Sequence, residues 1–273
     1  MNILVTLDRN YILPLKTMLM SLLINHPGEH FDVYLASDDI DQTDIQLIER
    51  LFAHFDAAIH LLHMDENCFS QAPAFRYYSK AMYYRLLASE YLPEDIERIL
   101  YLDPDMLIIN SIRTLYEMPM DHSLYAACIH KGLVNIANPV NKIRLSAYES
   151  EGYFNSGMLL MNMPQIRKRV YPQDIYDYVN QNRHLLILPD QDILNGLYGE
   201  HILPVDEMLW NYDARKYNEY LISSSGERGM DWVMNNTAIL HYCGKRKPWH
   251  QNYQGHFCAL YKHYMTLCAK YSS

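Results

Sequence analysis

The sequence predicts an α/β protein with a mostly parallel central sheet flanked by helices, and three observations predict it. Short apolar runs alternate with segments of helical spacing over the first hundred or so residues. Those helical segments are about 10–15 residues long, the length of a crossover between parallel strands rather than of a hairpin. The 273 residues are 49% hydrophobic and 20% charged, without an internal repeat or a low-complexity linker, so the chain can bury one substantial core.

The elements follow in order. Ile3 to Leu7 is an apolar run ending in the polar cluster Asp8-Arg9-Asn10. Tyr11 to Asn25 has helical spacing and closes at His26-Pro27-Gly28; Phe31 to Ala36 reads as a second strand, followed by a helix beginning near Asp41. Ala57 to Met64 is a third strand, a helix runs from about Ser79 to Tyr91 until Pro93 stops it, and Ile99 to Ile109 is a long β-rich run interrupted by Pro104. Beyond about residue 110 the rhythm loosens. Tyr125 to Ile129, Met158 to Asn162 and Ala238 to Tyr242 read as strands, Asp174 to Arg183 and Gln191 to Tyr198 as helices, Gly226 to Asn236 as a polar loop, and His256 to Tyr271 as a final helix. The expected organisation is a single domain over residues 1–250 with a helical tail over 251–273 that packs on it.

Composition excludes several function classes. A net charge of −9 argues against a nucleic-acid binder, which carries a basic footprint. The five cysteines, Cys68, Cys128, Cys243, Cys258 and Cys268, stand far apart with no CxxC pair, which points to reduced thiols and a cytoplasmic chain. The N-terminus lacks the basic-then-apolar pattern of a signal peptide, and no stretch approaches the roughly 18 apolar residues of a membrane span. The 24 tyrosines offer rings that stack on sugars or nucleobases, although most are expected to fill core edges.

The most informative segment is Leu102-Asp103-Pro104-Asp105-Met106 within the apolar run. Residues i and i+2 of a strand share a face, so two carboxylates would stand side by side where repulsion and lost hydration cost several kcal/mol, about the penalty that a divalent cation relieves. Pro104 removes a ladder donor and would bend or end the strand, presenting the pair at a sheet edge. The alternative is an Asp-Pro-Asp turn with both acids in solvent. An oxygen-rich site of this kind suits Mn²⁺ or Mg²⁺ on a diphosphate. In an open parallel sheet the ligand lies beyond the carboxyl ends of the strands, which gathers Asp8 to Tyr11, the Asp103 region and the loops before residue 160.

A further candidate ligand, His241, ends an apolar run and is followed by Gly244 and by Lys245-Arg246-Lys247. An imidazole beside two carboxylates favours Mn²⁺, and adjacent cations suit an anionic leaving group. A hydrogen-bonded core histidine and a solvated basic face are the competing readings.

Four segments in this order resemble glycosyltransferase family 8, the retaining enzymes that include bacterial lipopolysaccharide galactosyl- and glucosyltransferases and glycogenin. They are Asp8-Arg9-Asn10-Tyr11 after the first strand; Tyr83-Tyr84-Arg85-Leu86-Leu87 leading to Asp103-Pro104-Asp105; Tyr153-Phe154-Asn155-Ser156-Gly157 with Asp190-Gln191-Asp192; and His241-Tyr242-Cys243-Gly244 with Lys247-Pro248-Trp249. The resemblance implies a GT-A nucleotide-diphospho-sugar transferase fold. It implies Mn²⁺, or Mg²⁺, on Asp103, Asp105 and His241; Asp8, Asn10 and Tyr11 at the uridine; and Pro104, Arg85, Asn155, Ser156, Asp190 and Gln191 around the donor. Gly244 and Lys247 would meet the diphosphate. Leu7 and Arg9 depart from the smaller or acidic residues common beside the first acid in the family.

The implied reaction moves galactose or glucose from a UDP-sugar to a glycan or glycolipid acceptor with retention, through front-side attack, Gln191 and Asp190 stabilising the oxocarbenium-like sugar and Arg85 assisting. The expected setting is cytoplasmic; the tail from Phe257 to Tyr271, which mixes Lys262, Lys270, His263 and aromatic residues, has two readings, a peripheral contact at the inner face of a membrane or, the favoured one, a helix packed on the domain. Taken without the resemblance, Arg85 also reads as a surface helix arginine, and the Asp190-Gln191-Asp192 triplet as a helix N-terminus with favoured acids. A metal-dependent nucleotidyltransferase would carry a Gly-rich basic loop after the first strand, where this chain has Asp8-Arg9-Asn10-Tyr11. A non-catalytic nucleotide-sugar-binding protein would have lost the metal ligands, all of which are present.

Overall fold

A computed structural model describes residues 1–64, 81–129 and 152–271 of the chain. Its strands are β1 (Asn2–Thr6), β2 (Phe31–Ser37), β3 (Ala57–His63), β4 (Arg98–Leu102), β5 (Met106–Ile108), β6 (Tyr125–Cys128), β7 (Met158–Asn162), β8 (Ile202–Val205), β9 (Tyr212–Asp213) and β10 (Ile239–His241). Seven of them form the main sheet in the order β3-β2-β1-β4-β7-β6-β8. β7 runs antiparallel to both its neighbours, β4 and β6, and the other adjacent pairs are parallel. A smaller sheet, β5-β10-β9, stands beside it. This is the α/β architecture with a mostly parallel central sheet that the sequence predicts.

The strands read as near-continuous apolar runs because both sheet faces are covered. Ile3, Val5, Leu100 and Leu102 enter one core, against the helices Ile12–Ile24 and Gln42–Phe52. Leu4, Ile99 and Tyr101, one residue out of phase, enter the core on the opposite face with Leu86, Ile166, Ile175 and Ile193. Fully burying one such aliphatic side chain contributes about 1.5–3 kcal/mol, so a one-residue slip of β1 or β4 would misplace every contact at once.

Local signals explain the element ends. Asp41 accepts hydrogen bonds from the Thr43 and Asp44 amides while Asp44 reaches back to the Asp41 amide, a capping box that starts the helix Gln42–Phe52 where the sequence placed it. Cys258–Tyr271 forms the final helix, which buries Tyr261, Tyr264 and Cys268 and packs against Ile12–Ile24.

Three expectations are corrected. The segment read as a loop from Gly226 to Asn236 contains the helix Met230–Asn236, which buries only Val233; with one inward residue it leaves little periodicity to read. The helix expected over about 79–91 is described as Ala81–Leu86 followed by a 3₁₀ turn, Ala88–Glu90, so it tightens before Pro93 is reached; Ser79 lies outside the described residues. The run Ile99 to Ile109 is two strands in two sheets, and β4 lies between β1 and β7, so the acidic pair stands at the carboxyl end of a central strand rather than at a sheet edge. Unread from sequence were β8, β9 and the helices Arg113–Tyr116, Met163–Arg169, Glu207–Trp210 and Tyr217–Ser223. Among the described residues no helix is long and apolar enough to cross a membrane.

Candidate active site

The Asp-Pro-Asp segment crosses from one sheet to the other. The Asp103 amide extends the β4–β7 ladder by donating to the Gly157 carbonyl (2.8 Å). Two residues later the Asp105 carbonyl accepts from the Tyr242 amide (3.0 Å), and β5 then pairs with β10, Met106 opposite His241. Pro104 has no N–H to give either ladder, which suits the residue between them. Asp103, Asp105 and His241 therefore converge although 138 positions separate the first from the last, each offering a ligand atom within 4.8 Å of the others. His241 Nε2 is 3.3 Å from Asp105 Oδ1 and 3.9 Å from Asp103 Oδ2.

This donor set fits a divalent cation. Two carboxylates and one imidazole are ligands that divalent first-row metal ions accept. The space beside them is kept open by Gly157, where a Cβ would fall 2.6 Å from His241 Cε1 and 2.7 Å from Asp103 Oδ2. Burial pushes the Asp103 carboxyl above its ordinary range, against the pull of Arg85. Burial would raise Asp105 as well, but His241 and Lys247 hold it well below that range. Burial disfavours the imidazolium of His241, and the Cys243 sulfur and Asp105 carboxylate outweigh this and raise its pKa well above normal.

Around the acids the structure gathers most of the residues singled out in the sequence. Asp103, Pro104 and Asp105 line a cavity of about 230 Å³ together with Thr6, Asp8, Tyr11 and Arg85. Asp8 caps the 3₁₀ turn Arg9–Tyr11 by accepting from the Asn10 amide (2.9 Å), and Tyr11 meets Trp249 edge to face at 5.7 Å. Arg85 is no surface residue: its Nη1 is 2.9 Å from Asp190 Oδ2, its Nη2 is 3.1 Å from Asp103 Oδ1, and its guanidinium lies 4.6 Å from the Tyr101 ring. Burial opposes its charge, and the Asp103 carboxylate, the Tyr101 hydroxyl and Asp190 keep it fully protonated.

The Asp190-Gln191-Asp192 triplet divides by role. Helix Pro189–Tyr198 begins here, and Asp192 is the residue that serves the backbone, its carboxylate accepting from the Ile187 (2.6 Å) and Leu188 (3.0 Å) amides. Asp190 binds Arg85 and accepts from the Ser156 hydroxyl (2.8 Å), and Gln191 Oε1 accepts from Asn155 Nδ2 (3.0 Å). Lys247 Nζ donates to the Asp105 carboxylate and to the Tyr242 carbonyl. Two expected contacts sit farther out. Asn10 is exposed, and Gly244, at φ +85°, borders a neighbouring cavity with Arg215, Lys245 and Arg246.

Sequence reasoning missed Tyr101, whose hydroxyl donates to Asp103 Oδ1 (2.5 Å), and Asn211, whose Oδ1 is 2.8 Å from His241 Nδ1. Alternation along β4 offered a signal for Tyr101, since it precedes Asp103 by two residues. Asn211, between Trp210 and Tyr212, carried none.

The chain is 26% identical to General stress protein A of Bacillus subtilis, across 97% of this chain and 93% of that one. It is 28% identical to a lipopolysaccharide 1,2-glucosyltransferase of Escherichia coli, across 89% of this chain and 71% of the relative. A lipopolysaccharide 1,3-galactosyltransferase of Salmonella typhimurium is 24% identical, with 91% and 73% covered. The crystal structure of the galactosyltransferase LgtC with donor and acceptor sugar analogues superposes with a TM-score of 0.83 at 22% identity, covering 98% of this chain and 96% of that chain, and so shares the fold. The family model described as glycosyl transferase family 8 matches residues 2–253, and the chain belongs to that family.

Proposed function

We propose that this glycosyltransferase moves galactose or glucose from a UDP-sugar to a glycan or glycolipid acceptor, with retention of the anomeric configuration and with Mn²⁺ as its cofactor. The observation that carries this reading is the convergence of Asp103, Asp105 and His241 beside a cavity bounded by Asp8 and Tyr11. The hexose choice and the glycolipid acceptor are supported by the glucosyl- and galactosyltransferase relatives that act on lipopolysaccharide. Such an acceptor would bring the enzyme to the inner face of a membrane.

Asp103, Asp105 and His241 would hold the ion, which when bound neutralises the diphosphate and lets it leave without a proton. Mn²⁺ suits the mixed oxygen and nitrogen set better than Mg²⁺, which prefers oxygen ligands alone. Asp8 and Tyr11 lie where a nucleoside would meet the end of β1, and Tyr11 offers a ring face for a base. Lys247 supplies a second positive charge on the leaving-group side. On the sugar side, Asp190 provides negative charge next to Gln191, which suits a developing oxocarbenium ion, and Arg85 fixes Asp190 and Asp103 at a set separation. Gln191 is an amide and a poor nucleophile, so the chemistry favours attack by the acceptor on the face that the diphosphate leaves.

Isothermal titration of UDP with and without Mn²⁺, on the wild type and on Asp103→Asn/Asp105→Asn, tests this, followed by hydrolysis assays over a panel of UDP-sugars. Metal-dependent UDP binding that the double variant loses, with turnover of one UDP-hexose, is the expected result. UDP binding indifferent to metal and to the substitutions would overturn it.

A further inference from the structure

Three buried side-chain amides run from the histidine of the acidic cluster to Gln191, and one main-chain hydrogen fixes the orientation of all of them. The Gly157 amide can only donate, and it meets Asn155 Oδ1 at 2.9 Å, so that atom is the oxygen of the Asn155 amide. Asn211 lies 2.7 Å from the same oxygen and must present Nδ2 to it. Its own Oδ1 then faces His241 Nδ1 at 2.8 Å and can only accept, so Nδ1 carries the hydrogen. In the neutral ring Nε2 is left with the lone pair, and Nε2 is the nitrogen 3.3 Å from Asp105. In the other direction Asn155 Nδ2 donates to Gln191 Oε1 at 3.0 Å, which leaves the amino group as the uncommitted end of Gln191 among the described residues.

Asn211 has no exposed surface, and Asn155 very little, so water cannot replace these bonds cheaply. Asn211 reaches this place because it precedes β9, whose pairing sets Asp213 opposite His241. It touches neither carboxylate of the cluster in any contact described, and acts through its two amide neighbours.

We propose that Asn211 is a positioning residue that sets the ligating tautomer of His241 and, through Asn155, the amide orientation of Gln191. This rests on the reading of Asp103, Asp105 and His241 as a metal site. Its two amide atoms do separate work, and two substitutions separate them. Asn211→Leu removes both. Asn211→Asp keeps an acceptor for His241 Nδ1 but sets a second oxygen against Asn155 Oδ1. The Gly157 amide pins Asn155 Oδ1, so relieving that repulsion displaces Asn155 or breaks its bond to Gly157, and Gln191 loses its set orientation with it.

The test titrates Mn²⁺ into each protein with UDP present, and measures transfer or UDP-hexose hydrolysis at saturating Mn²⁺. Asn211→Leu should weaken Mn²⁺ binding about 10- to 100-fold, the usual effect of removing a partner that orients a ligating histidine. Asn211→Asp should bind Mn²⁺ within about threefold of wild type and yet lose about 10- to 100-fold in kcat, a split that general loosening of the fold would not produce. Should Asn211→Leu fail to fold, Asn211→Asp carries the test alone, and wild-type kcat in that variant overturns the proposal. Wild-type Mn²⁺ affinity in a folded Asn211→Leu protein also overturns it while leaving the metal site intact. Wild-type protein that binds no Mn²⁺ overturns the metal site and this inference together.

Discussion

The Arg85 guanidinium stands 2.9 Å from the Asp190 carboxylate, joining the short helix before β4 to the N-terminus of Pro189–Tyr198. The same fork reaches Asp103 at 3.1 Å, so one buried cation sets the distance between a metal-type acid and a sugar-side acid. A point charge cannot replace a planar fork that serves two carboxylates.

Arg85→Lys is therefore expected to retain little activity, and Arg85→Ala less, with kcat down by about 10²–10³ as for loss of a preorganised electrostatic group. Removing one partner of this largely buried ion pair also destabilises, by less than the roughly 3–5 kcal/mol of a fully buried pair, because Asp103 and Asp190 would be left uncompensated. Thermal melts beside kinetics check both effects. Wild-type melting together with lost turnover would place the whole role in the chemistry and none in the fold.

Gly157 is the second point at which the site admits little change. A methyl group there would overlap His241 Cε1 at 2.6 Å and Asp103 Oδ2 at 2.7 Å, and neither atom belongs to the free end of a flexible chain. Gly157→Ala should separate these two groups and lower Mn²⁺ affinity by about 10- to 100-fold, as displaced ligands do. Its effect on melting temperature should be much smaller than that of Arg85→Ala, since no buried charge is orphaned. Titration of Mn²⁺ in the presence of UDP measures it, and unchanged affinity would mean that the cation does not sit between those residues.

Much of the fold was legible because the strands are buried on both faces and announce themselves as apolar runs, Ile3 to Leu7 and Met158 to Asn162 among them. The antiparallel direction of β7 was not legible, since a buried run reads the same either way along the chain. Of the site, the residues with an unusual context were visible: two acids in an apolar run, and a histidine before a glycine and three cations. Asn211 was invisible because its importance lies in which side chain it touches, and spacing says nothing of a hydrogen bond between residues 211 and 241; for Tyr101, alternation put the side chain on the face of Asp103 without showing the bond between them.

Stability should show a shallow dependence on pH from a cluster at the amino end of the sheet. His30 bonds Asp56 through Nδ1 (2.6 Å) and faces Asp32 through Nε2 (3.2 Å), while His60 Nε2 bonds Asp32 (2.9 Å), with the Met1 amino group close by. The hydrogen bond to Asp56 raises the His30 pKa; burial would raise Asp32, but His60 and His30 bring it below its ordinary value. A raised histidine contributes stability that is complete below its unfolded pKa and is lost as pH rises through the folded one. A lowered carboxylate contributes stability that is present above its unfolded pKa and is lost as pH falls. Both contributions therefore overlap between about pH 4 and 6.5, the two unfolded values. The groups are largely exposed, so the gain is at most about 1 kcal/mol. Denaturant titrations of wild type and His30→Gln should differ most in that window and converge near pH 8; a constant difference across the range would show that the ion pairs contribute nothing.

Lys247 gives the last expectation, because its ammonium occupies one side of a carboxylate that a metal would also use. Nζ donates to Asp105 and to the Tyr242 carbonyl, and only 13% of the side chain is exposed. Without metal, this cation compensates Asp105 as a divalent ion would, so the two compete for the carboxylate's charge. With a diphosphate present the same ammonium would have a second anion to serve, and competition would become cooperation. Lys247→Met keeps the length of the stem and removes the charge. It should bind Mn²⁺ more tightly than wild type without UDP, by a few-fold to about tenfold, as expected for loss of one nearby like charge worth roughly 1 kcal/mol. With UDP the order should reverse, and kcat/KM should fall by about 10²-fold because the leaving diphosphate loses a preorganised cation. Titration of Mn²⁺ with and without UDP separates the two regimes. A variant that binds Mn²⁺ more weakly in both would mean that Lys247 holds the acids in place and does not compete for them.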